Sequence, residues 1–134
     1  ISATREAKFA AESQADEILE IMTNSFEPYT SALPEKKELL ASIRAKEVLV
    51  AMEDETLLGF LRFGPEKKVS VLWQVAVKEE ARGKGIGKML VKHWIWQVKD
   101  SALRCQLWVQ RMYEMLGFLP DGRIAPVMIK EKKG

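Results

Sequence analysis

Apolar residues recur along this chain with two periods, and the switches between them mark out the elements. Ile18, Ile21 and Met22 trace one helical face behind Ser13. Leu39, Leu40 and Ile43 do the same after Pro34, whose fixed φ suits the first helical position. Between them Asn24-Ser25-Phe26-Glu27-Pro28-Tyr29-Thr30 reads as a loop. A short run at 5–10 suits a first strand. Residues 47–52 form a second strand, Glu53-Asp54-Glu55-Thr56 a polar hairpin turn, and 57–63 the returning strand. Gly64-Pro65-Glu66-Lys67 is expected to turn again into a strand at 69–77. Three sequential antiparallel strands are the economical arrangement.

From Gly83 to about Asp100 the period becomes helical. Ile86, Leu90, Trp94 and Val98 advance in steps of four, with Met89, His93 and Gln97 beside them. That face must pack on the sheet. Residues 103–109 return as a strand parallel to 69–77, because a helix crosses between the two. Met112 to Leu116 is a short helical piece stopped by Gly117. Pro120-Asp121-Gly122-Arg123 is expected as a turn and 124–129 as the last strand. The whole, 1–134, is expected to be one domain with mixed α/β (α+β) architecture.

Composition changes this picture little. An apolar share of 47%, a charged share of 30% and a net charge of +2 are ordinary for a soluble globular chain. So small a charge argues against a nucleic-acid partner, even with Arg82, Lys84, Lys88 and Lys92 in one region. The single Cys105 lies in a strand pattern and is expected to be core, in keeping with a reducing compartment. The single His93 has no second His or Cys nearby, so no metal site is expected. Trp94 and Trp96 read as core and partner-facing bulk. There is neither a span-length apolar run nor a signal-peptide h-region, so no membrane is expected and the cytoplasm is the default location. A homodimer is left open.

The chemistry is concentrated in Val75-Ala76-Val77-Lys78-Glu79-Glu80-Ala81-Arg82-Gly83-Lys84-Gly85-Ile86-Gly87-Lys88-Met89-Leu90. A strand enters a charged turn, passes glycines at every second position, and becomes a helix. A helix start has up to four N–H groups without intrahelical acceptors and an electropositive end. Glycines let phosphates approach that backbone. The phosphate loop of nucleotide triphosphatases needs Gly, four residues, then Gly-Lys-Ser/Thr. Gly83 to Gly87-Lys88 is one residue short, and Met89 replaces the hydroxyl. The dinucleotide fingerprint G-x-G-x-x-G fails as well, since Gly83, Gly85 and Gly87 give G-x-G-x-G.

What fits is R/Q-x-x-G-x-G/A, here Arg82-Gly83-Lys84-Gly85-Ile86-Gly87, which resembles the pyrophosphate-binding signature of the GNAT superfamily of N-acetyltransferases. Tyr113-Glu114-Met115-Leu116-Gly117-Phe118 resembles that family's Y-E-x-x-G-F segment. The resemblance implies a mostly antiparallel central sheet flanked by helices, with a splayed parallel strand pair around the cofactor. It divides the chain into acceptor-side helices at about 13–45, a pyrophosphate-binding strand–turn–helix at 69–100, and C-terminal strands with a short helix at 103–129.

It also implies the ligand, acetyl-CoA, and an amine acceptor, either a small molecule or a peptide. Arg82, Gly83, Lys84, Gly85, Ile86, Gly87 and Lys88 would hold the pyrophosphate. The main chain of Val75, Ala76 and Val77, beyond a bulge, would pair with the pantetheine as an added strand does. Tyr113 would protonate the leaving thiolate. Phe26 and Tyr29 would line the acceptor pocket, with Trp73 and Gln74 as an aromatic wall and a neutral hydrogen-bonding group. The implied activity is acetyl transfer to a primary amine by direct attack on the thioester. The strand 71–75 carries no Asp, Glu or His where many members place a base. Ordered water, a carboxylate from another element, or an acceptor that binds already neutral would then do that work. Only Gln110, Arg111 and Met112 separate Val109 from Tyr113, fewer than the family usually has. Those two features favour the alternative, an acyl-CoA-binding regulatory module without turnover.

Overall fold

The structure, a computed structural model, describes residues 4–25, 33–66, 69–98, 102–106, 119–120 and 127–130, the last three stretches by backbone alone. Seven strands and three helices lie within these residues: β1 (Arg5–Phe9), α1 (Ala15–Ser25), α2 (Lys36–Arg44), β2 (Val48–Glu53), β3 (Thr56–Glu66), β4 (Val69–Val77), α3 (Ile86–Gln97), β5 (Ala102–Gln106), β6 (Leu119–Pro120) and β7 (Val127–Lys130). They make one sheet in the order β1-β2-β3-β4-β5-β7-β6. Every pair is antiparallel except β4 with β5.

Why β2 reads as an unbroken apolar run is plain from its neighbours. Leu49 and Ala51 face α3, joining Leu61, Leu72, Leu90 and Trp94 in one core. Val48, Val50 and Met52 face the other way, into a second core with Ile18, Met22, Leu39 and Phe60. A strand covered on both faces has no polar side to alternate. Helix α3 therefore covers one face of the sheet, and α1 and α2 cover the other. Ile86, Leu90 and Trp94 are buried at the expected steps of four, and Val91 broadens that stripe. Trp94 is wholly buried, and its Nε1–H donates to Ser70 Oγ on β4 at 3.1 Å.

The termini of α1 and α2 differ from the sequence reading. Ser13 lies inside a 3-10 turn, Glu12–Gln14, because Gln14 Oε1 accepts the Ala11 N–H at 2.9 Å and starts the chain winding earlier. Pro34 is not the first residue of α2. Glu35 is extended, with φ −72° and ψ 162°, and its carbonyl takes the first helical bond from the Leu39 N–H. Pro34 and Leu39 are both buried, the N′ and N4 positions of a hydrophobic staple. Helix α2 ends in a Schellman cap: Lys46 adopts φ 59°, its N–H donates to Ile43 O, and the Glu47 N–H donates to Ser42 O.

Two prolines expected in turns lie in strands. Gly64, Pro65 and Glu66 continue β3, paired with Val71, Ser70 and Val69. Strand β2 has already ended opposite Arg62, so β3 is open on that side and tolerates a residue without an N–H. Pro120 belongs to β6, the last strand of the sheet, where the same tolerance holds. The remainder of the expected 120–123 turn lies outside the described residues. So do residues 107–109 of the strand expected at 103–109, the 112–116 helix and Gly117. No described helix is long and apolar enough to cross a membrane.

Because Trp94 anchors the α3 core, Trp94→Ala should cost about 3–5 kcal/mol of stability, read as a lower denaturation midpoint with an unchanged slope. Trp96, 72% exposed on the same helix, should tolerate Ala within about 0.5 kcal/mol.

Candidate functional site

Among the described residues, strand β4 is paired along the whole of one edge and along only part of the other. With β3 it pairs from Val69 to Val77, but with β5 only at Val69, Ser70 and Val71. Beyond Arg104, β5 turns its remaining residues, Cys105 and Gln106, to β7 alone. Among the described residues, the ladder between the two parallel strands therefore ends at Val71 and Arg104. Just beyond that point β4 carries a bulge. Arg62 faces Gln74 and Phe63 faces Leu72, which leaves Trp73 as the extra residue.

The bulge also resets which side chains face which core. Ser70 and Leu72 point to α3, yet after the extra residue it is Val75 and Val77 that do so. Gln74 and Ala76 turn to the α1–α2 face. Backbone groups follow the same alternation. The Lys78 N–H donates to Leu58 O on β3, so the N–H and C=O of Val75 and Val77 are turned to the opposite edge, where no described strand pairs with them and Arg82 takes the Val77 carbonyl. Ala76 was expected to share that role, but its main chain is turned to β3 and its side chain is buried.

The open edge runs directly into the glycine turn. A 3-10 turn, Glu79–Ala81, buries Ala81 and aims Arg82 back, so that its Nε–H donates to Val77 O at 3.2 Å. Gly83 and Gly85 then take φ of 79° and 76°, the left-handed region that other residues adopt only at a cost. Gly85 is the N-cap of α3 and makes no side-chain cap bond. The N–H groups of Gly85, Ile86, Gly87 and Lys88 therefore start the helix without intrahelical acceptors, and the Met89 N–H is the first to find one, Gly85 O. A Cβ on Gly83 or Gly85 would meet nothing within 4 Å, so the backbone there is bare to solvent. Arg82 and Lys84 are exposed and Lys88 is half-buried, so positive charge surrounds these donors.

Gly87 differs from the other two. It has ordinary helical φ, and a Cβ there would lie 3.8 Å from Val77 Cγ2, an ordinary contact. This explains in physical terms why the sequence signature admits Ala at that place.

Two grooves flank the turn. One, of about 450 Å³, separates α1 from the turn and is lined by Glu17, Glu20, Ile21, Lys78, Glu80 and Arg82. Lys78 Nζ joins Glu17 Oε2 across it at 2.6 Å. The other, of about 480 Å³, starts at Gly85 and follows Lys88, Met89, Lys92, His93 and Trp96 along α3. His93 Nε2 lies 3.2 Å from Gln97 Nε2 in that helix.

On the α1–α2 face, beside the bulge, a polar cluster that sequence reasoning missed sits under α2. The Arg62 Nε–H donates to Ser42 Oγ at 3.1 Å and an Nη1–H to Gln74 Oε1 at 3.2 Å. Ser42 and Gln74 are buried and Arg62 is half-buried. Burial lowers the Arg62 pKa from its ordinary value, while the carboxylates of Glu38 and then Glu47 pull it back up. Trp73, 40% exposed, stands beside this cluster. A Cβ on Gly64 would come within 2.8 Å of its Nε1 and 3.5 Å of Glu47 Oε2, so the glycine leaves room for both. The signal was present in the sequence: Arg62 is the one charged residue in Leu57-Leu58-Gly59-Phe60-Leu61-Arg62-Phe63. Phe26, Tyr29 and Tyr113 lie outside the described residues.

Residues 15–118 match the model of the acetyltransferase (GNAT) family, and the chain belongs to that family. The fold agrees. A GNAT-family acetyltransferase from Bacillus cereus ATCC 10987 superposes with a TM-score of 0.80 at 14% identity, over 98% of this chain and 99% of that one. PaiA N-acetyltransferase from Thermoplasma acidophilum, solved in complex with coenzyme A, gives 0.77 at 21% identity over 96% and 99%. The putative acetyltransferase yncA from Salmonella typhimurium, solved with its cofactor acetyl-CoA, gives 0.76 at 19% identity over 95% and 93%. No curated protein matches the sequence.

The three glycines should separate on substitution. Gly83→Ala and Gly85→Ala should each cost about 1–2 kcal/mol through positive φ, whereas Gly87→Ala should be neutral or stabilising by up to about 1 kcal/mol. Thermal melts of the three variants check this.

Proposed function

We propose that the protein is an acetyl-CoA-dependent N-acetyltransferase that moves an acetyl group to a primary amine by direct attack on the thioester. One observation carries the reading: the edge of β4 beyond the bulge, with which no described strand pairs, leads without interruption into the glycine turn and the bare start of α3. A ligand with a peptide-like arm and a pyrophosphate fits that track end to end. The arm would pair with Val75 and Val77 as an added strand. The pyrophosphate would take the N–H groups from Gly83 to Lys88, aided by the charges of Arg82, Lys84 and Lys88. PaiA and yncA, each solved with coenzyme A or acetyl-CoA, support the choice of ligand.

On this reading the thioester lies near the bulge, between Trp73 and Val75, and an outward N–H of Val75 polarises its carbonyl. The acceptor nitrogen forms the new C–N bond as the C–S bond breaks. Tyr113 gives the departing thiolate its proton. Gln74 cannot act as the base, since its amide does not titrate and its oxygen is held by Arg62. The carboxylates that raise the Arg62 pKa, Glu38 and Glu47, belong to α2 and to the turn before β2, the kind of outside source the strand itself lacks. Phe26 and Tyr29 remain proposed lining residues of the acceptor pocket. The neutral Gln74 also favours a second reading, an acyl-CoA-binding regulatory module without turnover.

Calorimetric titration should show acetyl-CoA binding to the parent protein. Gly85→Asp, which puts a carboxylate among the helix-start donors, should weaken it by on the order of 100-fold. No binding by the parent would rule out both readings. Thiol release over a panel of amines separates them, because the module would bind and release nothing. Tyr113→Phe should slow release by on the order of 100-fold with acetyl-CoA affinity unchanged, and an unchanged rate would remove Tyr113 from the acid role.

A further inference from the structure

We infer that the acceptor carries a carboxylate and that Arg62 binds it. This rests on the acetyl-transfer reading and extends it to the class of acceptor. A guanidinium has five N–H donors in a planar fork. Arg62 spends two of them, on Ser42 Oγ and Gln74 Oε1, both neutral. The ion pairs of the described residues join Arg5, Lys8, Lys36, Arg44 and Lys78 to acidic partners, and Arg62 is in none of them. Desolvation is the largest influence on its charge. A half-buried guanidinium with three donors unclaimed by the protein is open to an anion that enters beside it.

A bracing role for Arg62, tying α2 to the sheet, accounts for the two bonds made but not for the donors left over. Glu38 and Glu47 lie close enough to influence Arg62 and yet do not close onto it. The Schellman cap places the Glu47 backbone beside this cluster, because the Glu47 N–H is tied to the carbonyl of the same Ser42 whose hydroxyl holds Arg62. A cation thus stands near two carboxylates without an ion pair to either, a pattern suited to a molecule bearing both an ammonium and a carboxylate group. Its place fits the chemistry. Arg62 is in register with Gln74, the first residue after the bulge, next to the Val75 backbone at the proposed thioester end of the track. The planar fork matches the two oxygens of a carboxylate.

The test is thiol release from acetyl-CoA with α- and ω-amino acids, each paired with its carboxamide, and with aminoalkyl phosphates. The parent should favour each acid over its carboxamide by about tenfold or more in kcat/KM. The ratio should fall to about one in Arg62→Met. Arg62→Lys, which keeps the charge without the fork, should retain part of the preference, and it serves if the Met variant melts. Equal rates for acid and carboxamide, a preference for phosphates, or a preference that survives Arg62→Met would each overturn the assignment. Calorimetric titration with N-acetyl amino acids and their carboxamides reads Arg62 without turnover. Tighter binding of the acid, lost in Arg62→Met, upholds the inference, and equal binding overturns it. Failure of acetyl transfer and failure of carboxylate recognition are thus told apart.

Discussion

One extra residue in β4 governs the rest of the molecule. A regular β4 would present one unbroken alternation along its whole length. The residue inserted at Trp73 falls where its pairing with β5 stops, just beyond Val71. The strand keeps its full ladder to β3, so the sheet loses nothing on that side. On the other side no described strand pairs with the main chain beyond Val71, and of its acceptors the Val77 carbonyl takes the Arg82 side chain. The same insertion turns Gln74 towards Arg62 and leaves Val75 and Val77 packed under α3. Site and core are thereby set by a single local irregularity.

The glycine turn depends on that strand for its position. Arg82 bonds back to the last carbonyl of β4, and Gly83 and Gly85 use left-handed backbone to bring the chain from strand direction to helix direction within a few residues. Helix α3 then runs back across the sheet, with Trp94 seated on Ser70 near the start of β4. Both ends of β4 are therefore tied, one to α3 through Ser70 and the other to the turn that leads into it.

Much of this was legible in the residues because it is local. Spacing of Gly83, Gly85 and Gly87 identified the turn, and steps of four from Ile86 identified the buried face of α3. The parallel placement of β5 followed from the crossing helix. What failed was non-local. Pro65 and Pro120 look like turn residues until the partner strand is known to have ended or the strand to lie at the rim. Which backbone groups of 75–77 turn to β3 depends on the register of that ladder, which sets Ala76 opposite Phe60. Arg62 joins Ser42 and Gln74 across 20 and 12 positions of sequence, and no local pattern announces such a meeting.

An unpaired strand edge is ordinarily found at the rim of a sheet, where charge, proline or brevity guards it against other strands. Here Pro120 stands at the β6 rim, while the open stretch of β4 lies in the interior of the sheet and carries valines. Its guard is position: β5 pairs with the same edge at Val69, Ser70 and Val71, so β4 is nowhere the rim strand of the sheet.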